Sequence, residues 1–448
     1  MKFKYIAKQY IVIFSVLGIT MFSSCEKTGA PIGEITPPAV TNPVVVPSTP
    51  PVVPKPPGGV PADATIIDLG TGSGDLTIDG TSLKITSNAF IRIKGGNYKN
   101  IVIKNFSASA EKPVYIKNVG LVTIAENLST DNISNVILSG DNTAGMAFGF
   151  QFENISYRAI IMKGKLDGVT LRNMSFKNVN DYCISGQGSN GNDMVYQGTA
   201  ATRTENFKIL YCLFDNAGTI QFGGNLNKEQ NMDTGLFKNV EIAYNTFQNN
   251  PGVGTVCAFT NVQDYNIHHN VVNNINQDNN NHNGVFAMQG NGTFHDNKLT
   301  NYQGNSIRMW LYSRGSTPAT NEIYNNICYN SRKYGAFELQ AFDRNIYPGK
   351  SMYANAKVYN NTVGQMNTSK DWEGQVLDLY NTGGTLEYYN NLGFNLYSSK
   401  SISNMINNMS DTKIVKELSN KYTAAQSDAI NDLNNFISKF TGIGELKK

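Results

Sequence analysis

Six short phrases share one place for an asparagine: IAYNTF (242–247), IHHNVV (267–272), FHDNKL (294–299), IYNNIC (323–328), VYNNTV (358–363) and YYNNLG (388–393). The asparagines are Asn245, Asn270, Asn297, Asn326, Asn361 and Asn391, so the period runs 25, 27, 29, 35 and 30 residues. Self-similarity at this spacing means stacked units, each too short to bury a core alone. Every unit reads as short strands joined by turns, so the array is all-β. In parallel coils each Asn side chain meets its equivalent about 4.8 Å above and below and caps a sharp turn, which makes the repeat structural. The aligned position is Met174 in LRNMSF and Cys212 in ILYCLF, so the Asn ladder starts only midway.

Upstream, Ile91-Arg92-Ile93, Ile101-Val102-Ile103, Val114-Tyr115-Ile116, Val122-Thr123-Ile124 and Val136-Ile137-Leu138 alternate at period 2, as half-buried strands do. Together these phrases resemble the right-handed parallel β-helix family, which includes pectate lyases and polygalacturonases. The resemblance covers roughly 64–400 and implies a right-handed, single-stranded parallel β-helix, with the solenoid spanning 63–410. It says little about activity. An array needs covered ends. Over 411–448, Ser427-Asp428 reads as a helix start, and Ile430, Leu433, Phe436, Ile437 and Phe440 share one helical face, which predicts a short C-terminal helical cap.

The N-terminus points outside the cell. Lys2, Lys4 and Lys8 precede a short apolar run, Tyr10–Phe22, which ends at Ser23-Ser24-Cys25. The run is shorter than the roughly 20 residues of a membrane span, so residues 1–25 read as a signal peptide. Small residues before a lone Cys resemble a bacterial lipoprotein signal, which implies lipidation of Cys25 and a place in the cell envelope, periplasmic or surface-exposed. The alternative is an ordinary signal peptide with an incidental Cys. Residues 26–62 hold most of the prolines and read as a semi-rigid linker. The remaining cysteines, Cys183, Cys212, Cys257 and Cys328, lie in strand phrases and are expected as small apolar residues without an essential disulfide. With 37 Lys+Arg against 34 Asp+Glu there is no basic footprint for nucleic acid. A monomer is expected.

A second strand column aligns with the first: CISGQ (183–187), TIQFG (219–223), VFAMQ (285–289), SIRMWLY (306–312), AFELQ (336–340) and VLDLY (376–380). Alternation sends Ile307, Met309, Phe337, Leu339, Leu377 and Leu379 inward. Two outward rows remain: Ser185, Gln221, Ala287, Arg308, Glu338, Asp378; and Gln187, Gly223, Gln289, Trp310, Gln340, Tyr380. Amides, charges and aromatics on one exposed face suit a polysaccharide, because rings stack on sugars and polar groups read hydroxyls. Arg308, Glu338 and Asp378 are the candidate catalytic residues. Gln289, Trp310, Gln340, Tyr380 and the loop residue Arg344 are the candidate substrate contacts. The plain alternatives are an exposed Arg308–Glu338 ion pair of little worth and a Trp310 packed beneath a loop.

A third row, His268, His295, Tyr324, Tyr359 and Tyr389, follows the leading apolar residue of each phrase. Two histidines on successive coils have the chemistry to hold a metal or exchange protons. No convincing carboxylate set joins them, although Asp264, Asp278 and Asp296 are near, so a stacked polar–aromatic surface is expected. No cofactor is indicated; Ca²⁺ would need a cluster of Asp ligands that is not apparent. Three readings stay open: a polysaccharide-active enzyme by lyase or hydrolase chemistry, a glycan binder and a passive solenoid. A polysaccharide lyase needs a base and a charge neutraliser. A glycoside hydrolase needs two carboxyl groups, and Glu338 and Asp378 on adjacent coils would lie roughly 5 Å apart, near the retaining geometry. A glycan-binding or adhesive lipoprotein needs only the exposed face, and a passive solenoid needs nothing more.

Overall fold

The computed structural model describes residues 60–61, 63–186, 193–227, 232–315, 317–341, 353–398 and 405–446. The targeting segment with Cys25, most of the proline-rich linker, and Gln187 and Arg344 lie outside them.

The chain winds through three strand columns, and almost every strand pairs in parallel with its successor one turn later. In the first column Glu241–Ala243 pairs with Asn266–His268, which pairs with Thr293–His295, then Glu322–Tyr324, Lys357–Tyr359 and Glu387–Tyr389. The second column follows the Asn turn through Thr246–Asn250, Val271–Ile275, Lys298–Tyr302, Ile327–Ser331, Thr362–Met366 and Leu392–Leu396. The third holds Cys257–Phe259, Phe286–Gly290, Ile307–Leu311, Phe337–Ala341 and Leu377–Leu379. Inward side chains from all three fill one continuous apolar core, including Ile307, Met309, Phe337, Leu339, Leu377 and Leu379. Phe152, Phe176, Phe214 and Phe247 stack through it at 4.9, 4.9 and 4.7 Å. The four described cysteines are free and buried.

The asparagines form the expected ladder. Asn245 Nδ2 donates to Asn270 Oδ1 at 3.1 Å, and the pattern repeats through Asn297, Asn326, Asn361 and Asn391 at 3.0, 3.1, 3.0 and 2.9 Å. It runs one rung further than the phrases showed, since Asn391 Nδ2 reaches Asn420 Oδ1 at 3.0 Å. At the other end Cys212 N donates to Asn245 Oδ1 at 2.9 Å. The residue before each rung is left-handed, as at His269 (φ 54°), Asp296 (φ 53°) and Asn325 (φ 54°). The amide thus satisfies backbone groups at a corner where the sheet ladder is interrupted.

The C-terminus departs from the expected helix. Lys413–Leu418 and Lys421–Thr423 add a further coil, and only Gln426–Ala429 is helical. The rest is irregular because Asn and Asp side chains compete for the backbone: Asp432 Oδ1 accepts from Asn434 N at 2.8 Å, and Phe436 turns left-handed at φ 52°. Ala429, Ile430, Phe436 and Ile443 instead cover Ile327, Tyr329, Leu392 and Phe394 on the outer side of the second column. Ile437, assigned to the apolar face, is exposed. The segment is a lateral cover along the coils.

Candidate functional site

Strand alternation and register build the site on the third column. Ala287 pairs with Arg308, Arg308 with Glu338, Glu338 with Asp378 and Asp378 with Asn407. The charged row therefore exists, with one coil more than expected, since Ala258 stands between Gln221 and Ala287. Its setting differs from the expected exposed face. Glu338 and Asp378 are only 1% and 2% exposed, because turns of neighbouring coils close over them.

The covering turns supply the residues that sequence reasoning left out. His282, from the Asn-rich turn, places Nε2 2.8 Å from Glu338 Oε2 and 3.0 Å from Asn305 Oδ1. Arg308 Nε donates to Glu338 Oε1 at 2.7 Å, and its Nη1 donates to the His282 carbonyl at 2.6 Å. The His282 ring stacks on Tyr334 at 4.1 Å, and Tyr334 lies edge-on to Trp372 at 5.4 Å. Lys333 Nζ sits 5.5 Å from the rings of both Tyr334 and Trp372. Nothing in the outward alternation marks His282, Tyr334 or Trp372. Their one signal is chemical, a His and two aromatics within otherwise polar turns.

Asp378 is held by amides. Its Oδ1 accepts from Asn407 Nδ2 at 3.2 Å and from Gln375 Nε2, and its Oδ2 accepts from Asn305 Nδ2 at 3.4 Å. Gly335 faces it, where a Cβ would come within 2.9 Å of Asp378 Oδ2, so the turn needs glycine to lie over the carboxyl. Electrostatics drive the two acids apart. Burial, reinforced by the negative charge of Glu338, pushes the Asp378 carboxyl up to about 7. Burial also opposes ionisation of Glu338, but the His282 hydrogen bond and the Arg308 charge outweigh it and hold this carboxyl below its ordinary range. Near neutrality one acid is half-protonated and its neighbour stays ionised.

The neighbouring outward row remains accessible. Gln289 pairs with Trp310, and Trp310 with Gln340; these three and Tyr380 are half-buried. Trp310 was expected to face solvent. One side instead packs toward Leu226 and Tyr312, while the Arg308 guanidinium lies 4.7 Å from its ring centre. The loop carrying Leu226 is pinned by Arg314, whose Nη1 and Nη2 reach the two Asp233 oxygens at 2.8 and 2.9 Å. Both alternatives for Trp310 thus meet: a loop flanks it, and part of it stays open.

On the first column His268, His295, Tyr324, Tyr359 and Tyr389 stack at 5.0, 4.6, 5.0 and 4.9 Å, the polar–aromatic surface expected. At its upper end His269, His295 and Asp296 bring possible metal-ligating atoms together.

No protein-family model matches the chain, and no curated protein matches it. Among solved structures it is similar to a PL6 family polysaccharide lyase, Pedsa3628 from Pseudopedobacter saltans. The two share 14% identity at a TM-score of 0.45, over 83% of this chain and 96% of that one. It is also similar to the catalytic domain of Agl-KA, with 14% identity and a TM-score of 0.34, over 80% of this chain and 62% of that one. At such identities and scores neither likeness says what this chain binds or does.

Proposed function

We propose that this chain is a right-handed parallel β-helix that engages polysaccharide along the third column, with Gln289, Trp310, Gln340 and Tyr380 as its contacts. Right-handed winding follows from the general preference of parallel crossovers. One observation carries the functional reading: amides flank a half-open Trp at successive coil positions, and the Trp ring is backed by a guanidinium and a pinned loop. A ring braced in this way offers a rigid face to a sugar, and the amides are placed to read its hydroxyls. The sequence adds export and a lipid anchor at Cys25, which would display the helix, as a monomer on a proline-rich stalk, at the bacterial cell envelope.

Cleavage by a lyase or glycoside hydrolase mechanism is the second reading, favoured by the opposite shifts of the Asp378 and Glu338 carboxyls, as in acid–base pairs. Their burial puts binding first, because neither carboxyl meets solvent where a glycosidic bond would lie. Arg308 is then a brace for Trp310 and a counter-charge for Glu338.

A glycan panel read for binding, with parallel assays for new reducing ends and unsaturated products, tests both readings. Trp310→Ala is expected to weaken binding about tenfold, the loss of one aromatic stacking contact, with an unchanged far-ultraviolet spectrum. A folded protein that binds no polysaccharide, or that binds equally well without the Trp310 ring, would overturn the contact row. Turnover abolished by Glu338→Gln in a folded protein would move cleavage ahead of binding.

A further inference from the structure

We propose that His269, His295 and Asp296 form a binding site for a divalent transition metal of the zinc type, clipping two successive coils at the Asn-ladder corner. This site is separate from the third column, and its test does not depend on any glycan. The three side chains each offer one ligand atom, and these atoms lie within 4.8 Å of one another. His269 comes from one coil, and His295 with Asp296 comes from the next, since His268 pairs with His295. His269 and Asp296 both occupy the left-handed position before a ladder Asn. The backbone therefore presents equivalent corners, one above the other, with side chains turned outward.

The hydrogen bonds fix which ring nitrogens face the corner. His295 Nε2 lies 2.9 Å from Asn266 Oδ1, which can only accept, so the ring proton belongs on Nε2. His295 Nδ1 faces the corner, 2.6 Å from Asp296 Oδ2. A proton lies between them at that distance, and a zinc ion taking its place would hold the two atoms about 3.3 Å apart. His268 continues the pattern: its Nε2 faces Glu241 Oε1 at 3.3 Å, and its Nδ1 lies 2.8 Å from His269 Nδ1. With the Nε2 proton given to Glu241, His268 Nδ1 accepts from His269 Nδ1–H. The lone pair of His269 is then on Nε2.

Carboxylate and carbonyl partners behind metal-bound histidines set tautomers in this way. Glu241 acts through His268, and Asn266 acts directly on His295.

The donor set of two imidazoles and one carboxylate suits zinc, with a remaining position for water. Zinc ligands stand about 3.3 Å apart, given bonds of roughly 2.0–2.1 Å. Rotation of the exposed His269 side chain closes the gap. The surroundings leave room: His269 and Asp296 line one pocket, together with Lys298, Asn325 and Glu445. The nearby cation Lys298 lies over the Phe436 ring at 5.4 Å. Glu445 places a second carboxylate at the pocket, brought there by the C-terminal cover through Glu445 N donating to Thr362 Oγ1 at 2.8 Å.

Untagged full-length chain titrated with Zn²⁺ by calorimetry, and with Co²⁺ by visible absorption, tests the site. One ion per chain is expected, with a thermal midpoint that rises with Zn²⁺. His269→Gln and Asp296→Asn should each weaken binding at least tenfold, whereas Tyr359→Phe should leave it unchanged. A folded wild-type chain that takes up no Zn²⁺, or one whose affinity survives His269→Gln, overturns the proposal. If Asp296→Asn fails to fold, the exposed His269→Gln alone decides.

Discussion

Asn297→Ala should lower the stability of the solenoid by about 3 kcal/mol, far more than an outer-turn asparagine would. Asn297 Nδ2 donates to the Ile267 carbonyl at 3.0 Å and to Asn326 Oδ1 at 3.1 Å. Its Oδ1 accepts from both Asn270 N and Asn270 Nδ2 at 3.0 Å. Alanine leaves the Asn270 backbone N–H buried without that acceptor, and an orphaned buried donor costs about 1–3 kcal/mol. The missing rung also leaves a small void, and each neighbouring amide loses one of its partners. Because repeats couple mainly to their neighbours, hydrogen exchange should accelerate first around Asn270, Asn297 and Asn326. Asn330→Gly is the control. Asn330 Nδ2 bonds Asn301 Oδ1 at 2.7 Å on the half-exposed outer corner, and glycine keeps its left-handed φ of 60°. That change should stay within about 1 kcal/mol in chemical denaturation. Equal losses for the two variants would mean that the inner ladder shapes the corner without stabilising it.

The ladder was legible because its rungs carry one residue type at one place in a phrase. Alternation was equally informative: it sent the right six residues into the core and placed Arg308, Glu338 and Asp378 in one row. What alternation cannot say is whether an outward residue is covered. The cover over Glu338 comes from His282 and that over Asp378 largely from Gly335, on turns of other coils, so it depends on how far apart the coils carry their loops. Asn420 escaped notice because its phrase opens on exposed residues, Glu417 and Leu418, where the others open on a buried one. The C-terminal segment misled for a different reason. Ile430, Leu433, Phe436 and Phe440 have helical spacing, but Asn431, Asp432, Asn434 and Asn435 between them favour turns. Ile430 and Phe436 are nonetheless buried from an irregular backbone, with Leu433 and Phe440 packed beside them. Periodicity found the buried side chains and missed the local conformation.

Asp378→Asn should stabilise the fold most at mildly alkaline pH and progressively less as the pH falls toward about 4. The folded Asp378 carboxyl is raised to about 7 by burial and by Glu338, whereas an unfolded chain holds it near 3.9. Between those values the native state binds the extra proton, so stability falls as pH rises and reaches its full penalty above the folded value. Over roughly three units at about 1.4 kcal/mol each, the full penalty is on the order of 4 kcal/mol. Glu338 has the opposite sign. Its folded carboxyl is lowered, so its contribution is present above the unfolded value and disappears only as pH falls through the folded one. Since Glu338 remains in both proteins, the difference between them isolates Asp378. In denaturation, the stability gap in favour of the Asn variant should be about 1.5 kcal/mol near pH 5 and close to its full value near pH 8. The amide fits its surroundings, because Asn305, Gln375 and Asn407 can each present either end of a side-chain amide to it. A stability difference that stays flat across that range would show that Asp378 titrates like a solvent-exposed carboxyl. The split between the two acids, on which the cleavage reading rests, would then be lost.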